Sequence, residues 1–341
     1  MKAKTWVIIW FLTLLFSVPI IGITNYYIDP YGLLSTKNKY IDNVTGLNNP
    51  TITNMKVELR ADYYLIGTSR LIRVHPDIIE KYLNKKTYNI NIAGATFREN
   101  YLLARKVKTN KKNFIFGFDA FSLNKNRLAY SEILNRVSSY ESKLLKNFTM
   151  HNYMTSQFIN ASKNHILRQI KNEHYERYFI DENIENENFT LNSISKHLGL
   201  DNGDKKKVFA NFDIYSESEI IHMAKIASKD DYFLIYPKHY YHYLLFQKHN
   251  DIEKKYFRAI QLLVENTSAQ VWSFYGINEI TKNKNNFDEE GWHFKPKVSD
   301  MIFKNIFDSN IEKKYGKLIT KDNVIEYLSE QNRYIKNYVL E

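Results

Sequence analysis

The stretch YLIGTSRL (64–71) sets a serine where an apolar run stops: the chain reaches Gly67, passes through Thr68, Ser69 and Arg70, then turns apolar again. A neutral serine hydroxyl is a weak nucleophile until a base takes its proton. Ten histidines are candidates for that base. His293 stands out in NFDEEGWHFKPKVSD (286–300), three residues after Glu290, with Asp288 as a rival carboxylate. His239 and His242 lie three apart in YPKHYYH (236–242), but the chain has no HExxH and the pair has no clear carboxylate partner. There are no cysteines, so disulfides, thiolate metal sites and a cysteine nucleophile are excluded. Neither a phosphate-binding loop nor a dinucleotide glycine fingerprint occurs, and no metal or cofactor is expected.

Ser69 and His293 are more than 200 positions apart, so only the fold can bring them together. Five β-rich runs punctuate the chain: 62–67, 87–93, 113–118, 231–237 and 269–275. They are continuous apolar runs rather than alternating ones, as expected of parallel strands covered on both faces. Helical patterns lie between them: HPDIIEKYLNK, ENYLLARKVKTN, SESEIIHMAKIASK with a capping-box start, and IEKKYFRAIQLLVEN. The alternation predicts an α/β fold on a five-stranded parallel sheet. In such a sheet the loops at the carboxyl ends of the strands gather at one edge. In chain order those loops hold Gly67-Thr68-Ser69-Arg70, then Ala93-Gly94-Ala95-Thr96, then Gly117-Phe118-Asp119, and finally the 286–300 segment. The domain is expected over 61–315, with a helical insertion at about 125–215 and a helical tail at 316–341.

The N-terminus reads MKAKTWVIIWFLTLLFSVPIIGITNYY. An uncharged apolar run from Trp6 follows Lys2 and Lys4, close to the roughly 20 residues a bilayer demands. Residues 6–24 are therefore expected to anchor the chain in membrane lipid, with 1–5 in the cytoplasm and the bulk on the extracytoplasmic side. Residues 25–60, rich in Pro, Gly and Asn, form the lead-in. A formal net charge of +11 favours anionic partners. An extracytoplasmic position argues against nucleic acid among them.

A serine after the first strand, a glycine after the second, a polar group after the third and an acid-x-x-His near the end resemble the SGNH (GDSL-like) hydrolase and acyltransferase superfamily. The likeness is closest to its membrane-anchored extracytoplasmic branch, which includes the teichoic acid D-alanyl transfer protein and polysaccharide O-acetyltransferases. It rests on the Asp-Pro-Tyr at 29–31, GTSR, YNINIAGAT, FGFDAF, YPKH and HFKPKVSDMI, in that order over about 25–335. The resemblance implies a flavodoxin-like three-layer sandwich and an enzyme that moves or removes O-acyl groups of a cell-envelope polysaccharide. A membrane-embedded O-acyltransferase is the partner it implies as acyl source.

On this reading Ser69 is the nucleophile, His293 its base, and Glu290 the carboxylate that fixes the imidazole tautomer. The N–H groups of Ser69 and Gly94 would form the oxyanion hole. The family's third motif carries a donating asparagine where this chain has Asp119. An ionised carboxylate there cannot donate, so Asp119→Asn is expected to preserve or raise activity. Arg70 is expected either to offset the charge of Asp119 or to bind an anionic substrate, and His239 is taken as substrate-binding. The alternative is a non-catalytic assembly or glycan-binding factor that keeps the fold and has lost the oxyanion hole.

Overall fold

The computed structural model describes residues 3–28, 61–126, 159–163, 166–167, 189–200, 209, 211–308 and 314–338, apart from 73, 75, 93, 110 and 289. The Asp-Pro-Tyr motif, most of the lead-in and most of the expected insertion lie outside these residues.

Helix α1 (Ala3–Ile28) has a mean hydropathy of 2.4 in its most apolar window, and that window is 6% buried. At 1.5 Å per residue its 26 residues run for about 39 Å, against a hydrocarbon layer of roughly 30 Å. Among the described residues it alone is long and apolar enough to cross a membrane.

The rest is α/β. The strands are β1 (Tyr63–Ile66), β2 (Thr87–Asn89), β3 (Asn113–Gly117), β4 (Tyr232–Ile235), β5 (Gln270–Ser273) and β6 (Lys317–Ile319). They form one sheet in the order β2-β1-β3-β4-β5-β6. The first five are parallel, and β6 lies antiparallel to β5, with Lys317 opposite Ser273. This corrects the expected five-stranded parallel sheet. The segment after 315 adds a strand before it becomes helical. KLI is too short and too exposed to show the apolar run that marked the others.

Helices cover both faces. Tyr64, Ile66, Phe114, Phe116, Phe233, Ile235 and Val271 point into one core with α4 (Phe97–Thr109), α7 (Glu217–Ile226), α9 (Asn250–Asn266) and α12 (Val324–Lys336). Tyr63, Leu65, Ile115, Leu234 and Trp272 point the other way, against α3 (Pro76–Leu83) and α11 (Pro296–Phe307). Adjacent strand residues face opposite layers, so both sets must be apolar, which explains the continuous runs. The remaining α-helices among the described residues are α2 (Ser69–Ile72), α5 (Ala120–Leu123), α6 (Leu191–Leu198), α8 (Tyr241–Lys248) and α10 (Glu279–Lys282). The capping box read at the start of α7 is present: Ser216 and Glu219 bond each other's backbone N–H.

One core residue carries a pH signature. Glu253 in α9 is 4% exposed and accepts from the Tyr275 hydroxyl at 3.1 Å. Burial pushes its carboxyl up to about 7, and the tyrosine offsets this only in part. The folded chain therefore holds a proton there that the unfolded chain releases near 4.5. Stability from this group is complete below about pH 4.5 and is lost as pH rises through 7. Glu253→Gln should raise the Tm at pH 8 and do little at pH 4.5. The gain should reach about 3 kcal/mol at 1.36 kcal/mol per pH unit. Equal Tm changes at both pH values would contradict it.

Candidate active site

The sheet order reverses between β1 and β3, and ligand sites of open α/β sheets form at such switch points, outside the carboxyl ends of the strands. Ser69 follows β1 and Asp119 follows β3. The Ile92 N–H donates to the Gly67 carbonyl at 3.3 Å, which carries the chain after β2 alongside the serine turn. Two residues on, Gly94 occupies the left-handed region at φ +70° in a turn closed by Ala95 N–H on the Ile92 carbonyl. A side chain would be strained at that φ.

Ser69 and His293 meet. Ser69 Oγ lies 2.8 Å from His293 Nε2. On the far side of the ring His293 Nδ1 lies 2.7 Å from Asp288 Oδ2. An ionised carboxylate only accepts, so the imidazole proton belongs on Nδ1 and Nε2 is left to accept from the serine hydroxyl. Burial would raise the Asp288 carboxyl, but the His293 ring and the N–H groups of His293 and Trp292 outweigh it and hold it below the usual carboxylate range.

Asp288, not Glu290, is the partner of His293. Phe287 and Phe294 bridge in antiparallel fashion, and the Asp288 N–H donates to the His293 carbonyl at 2.9 Å. Residues 288 and 293 thus face each other across a tight loop, while Gly291 turns its tip at φ +63°. Asp288 Oδ1 closes the loop by accepting from the N–H groups of Trp292 and His293 at 3.1 and 3.2 Å. Glu290 sits at the tip with its carboxylate turned outward, 3.4 Å from His197 Nε2. Its carbonyl accepts from His242 Nε2 at 3.0 Å. Burial keeps His242 neutral, so this histidine secures the back of the loop.

Three further expectations are corrected. Asp119 is 1% exposed and turned inward as an acceptor. It accepts from Ser122 N–H (2.9 Å), Tyr236 OH (3.2 Å) and Thr68 Oγ1 (3.3 Å), and Arg70 Nη1 stands 2.9 Å from its Oδ1. Burial would raise this carboxyl, but Arg70, Lys238, the Ser122 N–H and Tyr236 together hold it below its ordinary value. It is a buried countercharge and N-cap of α5, not an oxyanion donor. Gly117 is part of this arrangement, because the Tyr236 ring that reaches Asp119 occupies the space a Cβ would need.

Arg70 is fully buried and has no face toward a substrate. Its approach to Asp119 is an ion pair without an aligned N–H, and Nε and Nη2 also meet no acceptor among the described residues. Its guanidinium instead lies 3.6 Å from the Trp292 ring centre, a cation–π contact. The residue after Ser69 is thereby stacked on the residue before His293. His239 is likewise fully buried, ringed by Phe189, Tyr241 and Phe287. Burial pushes its imidazole down to about 3. It is a structural residue whose N–H donates to the Gly291 carbonyl at 2.9 Å.

Sequence reasoning missed Trp292 and Lys238. Lys238 Nζ lies 4.7 Å from the Trp292 ring centre and 4.8 Å from that of Phe246. Burial, then Arg70, pushes its ammonium down to about 7, while Asp119 pulls the other way. The available signals were adjacency of Trp292 to His293 and the place of Lys238 beside His239. Phe209, from within the expected insertion, also packs edge-on against Trp292 at 5.7 Å. The stem of that insertion is closed by the Lys125 N–H donating to the Asp213 carbonyl at 2.8 Å.

Searched against protein-family models and curated proteins, the chain finds no match.

Proposed function

We propose that this chain is a membrane-anchored, extracytoplasmic SGNH-like acyltransferase or esterase. It acts on O-acyl groups of a cell-envelope polysaccharide through a Ser69 acyl-enzyme. One observation carries the reading: the aligned Ser69–His293–Asp288 series, 2.8 and 2.7 Å, at the switch point of the sheet. Strand order 2-1-3-4-5 with helices on both faces supports the flavodoxin-like three-layer form, to which β6 is an addition. The apolar helix α1 supports the anchor.

In this mechanism His293 Nε2 takes the Ser69 proton as Oγ attacks the acyl carbon, and the imidazolium formed is stabilised by Asp288. The N–H groups of Ser69 and Gly94 meet the oxyanion. The imidazolium then protonates the leaving alkoxide. A second hydroxyl, from glycan or water, repeats the sequence to release the acyl group, and its identity decides transfer or hydrolysis. A membrane-embedded O-acyltransferase is the acyl source we propose for transfer.

A second reading has its own support. Where the family carries a donating asparagine, this chain buries an ionised carboxylate against Arg70. A chain short of that donor would serve as a glycan-binding or assembly factor. Glycan O-acyl content measured in cells lacking the gene, then complemented with wild type or Ser69→Ala, separates the two. Restoration by wild type alone supports chemistry at Ser69. Equal restoration by both supports the assembly factor.

A further inference from the structure

The carboxyl edge of the sheet carries a concave site beyond the end of β5. Its cavity measures about 420 Å³, within the range of small-molecule sites. Trp272, Tyr275 and Tyr327 wall it, and Asn278, Gln331 and Lys317 supply its polar groups. The walls are fixed in place. The Tyr327 hydroxyl lies 2.8 Å from Ser273 Oγ and 3.0 Å from the Tyr275 carbonyl. Thr281 Oγ1 donates to the Gly276 carbonyl at 2.8 Å and accepts from the Asn278 N–H at the same distance.

Two features make this a shaped site. Gly276 sits at φ +116°, and the Gln331 amide oxygen occupies the place where a Cβ at 276 would stand. Only glycine lets the amide lie there. Asn278 Oδ1 accepts from the N–H groups of Ile280 and Thr281, so its amide nitrogen is the end left to donate. Among the described residues no aspartate or glutamate lines the cavity. Lys314 at the mouth is paired with Glu279 at 2.7 Å, while Lys317 is exposed and has no carboxylate partner among the described residues. The lining is therefore aromatic, rich in amide and ammonium donors, and positive. A flat, hydroxyl-bearing ligand with a negative group matches each of these properties.

We propose that this cavity binds one sugar unit bearing a carboxylate or a phosphate, as a subsite for a polymer whose acyl group is handled at Ser69. The polymer part rests on the function proposed above. In the sheet order β5 stands three places from β1, about 14 Å at roughly 4.8 Å per strand. A single sugar cannot occupy both places, so the arrangement selects a chain of sugars over a small ester.

The test is calorimetric titration of the full-length Ser69→Ala protein in detergent with glucuronic acid, glucose 6-phosphate, glucose and inorganic phosphate. Both anionic sugars should bind at least about tenfold tighter than glucose or phosphate. Lys317→Glu and Gln331→Ala should each weaken them about tenfold. Phosphate binding as well as the anionic sugars, glucose binding as well as either, or no binding at all would each overturn the subsite. Because Ser69 is already replaced, an inert serine leaves these results untouched. Hydrolysis of p-nitrophenyl acetate by Lys317→Glu alone should match wild type, and a loss there would place the cavity in the chemistry and overturn its separate role.

Discussion

Asp288→Asn should lose on the order of 10⁴-fold in kcat toward p-nitrophenyl acetate, as amide substitution does in comparable triads, while Glu290→Gln stays within a few-fold of wild type. The asparagine amide would present a donor to Nδ1, moving the imidazole proton to Nε2 and removing the acceptor that Ser69 needs. It would also alter the closure of the loop, since Asp288 Oδ1 accepts from two backbone N–H groups. Among the described residues the Glu290 carboxylate pairs with His197 alone, an exposed contact worth little. Steady-state kinetics on the three proteins, with circular dichroism as a folding control, decides the matter. Equal losses from both substitutions would mean that the loop tip enters the chemistry and that the assignment of Asp288 is incomplete.

Arg70→Met and Asp119→Asn should each destabilise the fold by about 3–5 kcal/mol, the usual consequence of leaving one member of a buried ion pair unpaired. At about 2–4 °C per kcal/mol for a domain of this size, the Tm should fall by roughly 10 °C. Arg70 and Asp119 are 0% and 1% exposed, so water cannot replace the lost partner. The pair also ties three loops together. Asp119 follows β3, Arg70 follows Ser69, and the guanidinium lies on Trp292 beside His293. Asp119→Asn is therefore expected to lower activity, reversing the expectation drawn from the sequence. The double variant Arg70→Met/Asp119→Leu should recover much of the Tm, because two apolar side chains leave no charge behind. Thermal denaturation that finds both single variants as stable as wild type would contradict the pairing.

The sheet was legible because parallel strands covered on both faces must be apolar throughout, and runs such as YYLI and YFLI have no other simple use. β6 was not, since an antiparallel edge strand of three residues with two exposed leaves almost no pattern. Ser69 and His293 were legible from their places after strands. The choice between Glu290 and Asp288 depended on a loop conformation set by Gly291 and by a carboxylate bonding its own backbone, and spacing alone does not show this. The pairing of Arg70 with Asp119 was open to the sequence, but Arg70 as a substrate contact, His239 and Asp119 as an oxyanion group misled for one shared reason. A charged or titratable residue in a loop is normally solvated, and only the packing of Trp292, Tyr236 and Phe189 reveals that these three are enclosed.

The proposed function requires Ser69 to be an activated nucleophile. Incubation of the full-length protein with a fluorophosphonate, followed by peptide mapping by mass spectrometry, tests it most directly. Covalent label is expected on Ser69 in wild type and in Glu290→Gln, with labelling of Ser69 abolished in His293→Ala. Folded wild-type protein that takes no label at Ser69, or that labels equally without His293, would contradict it.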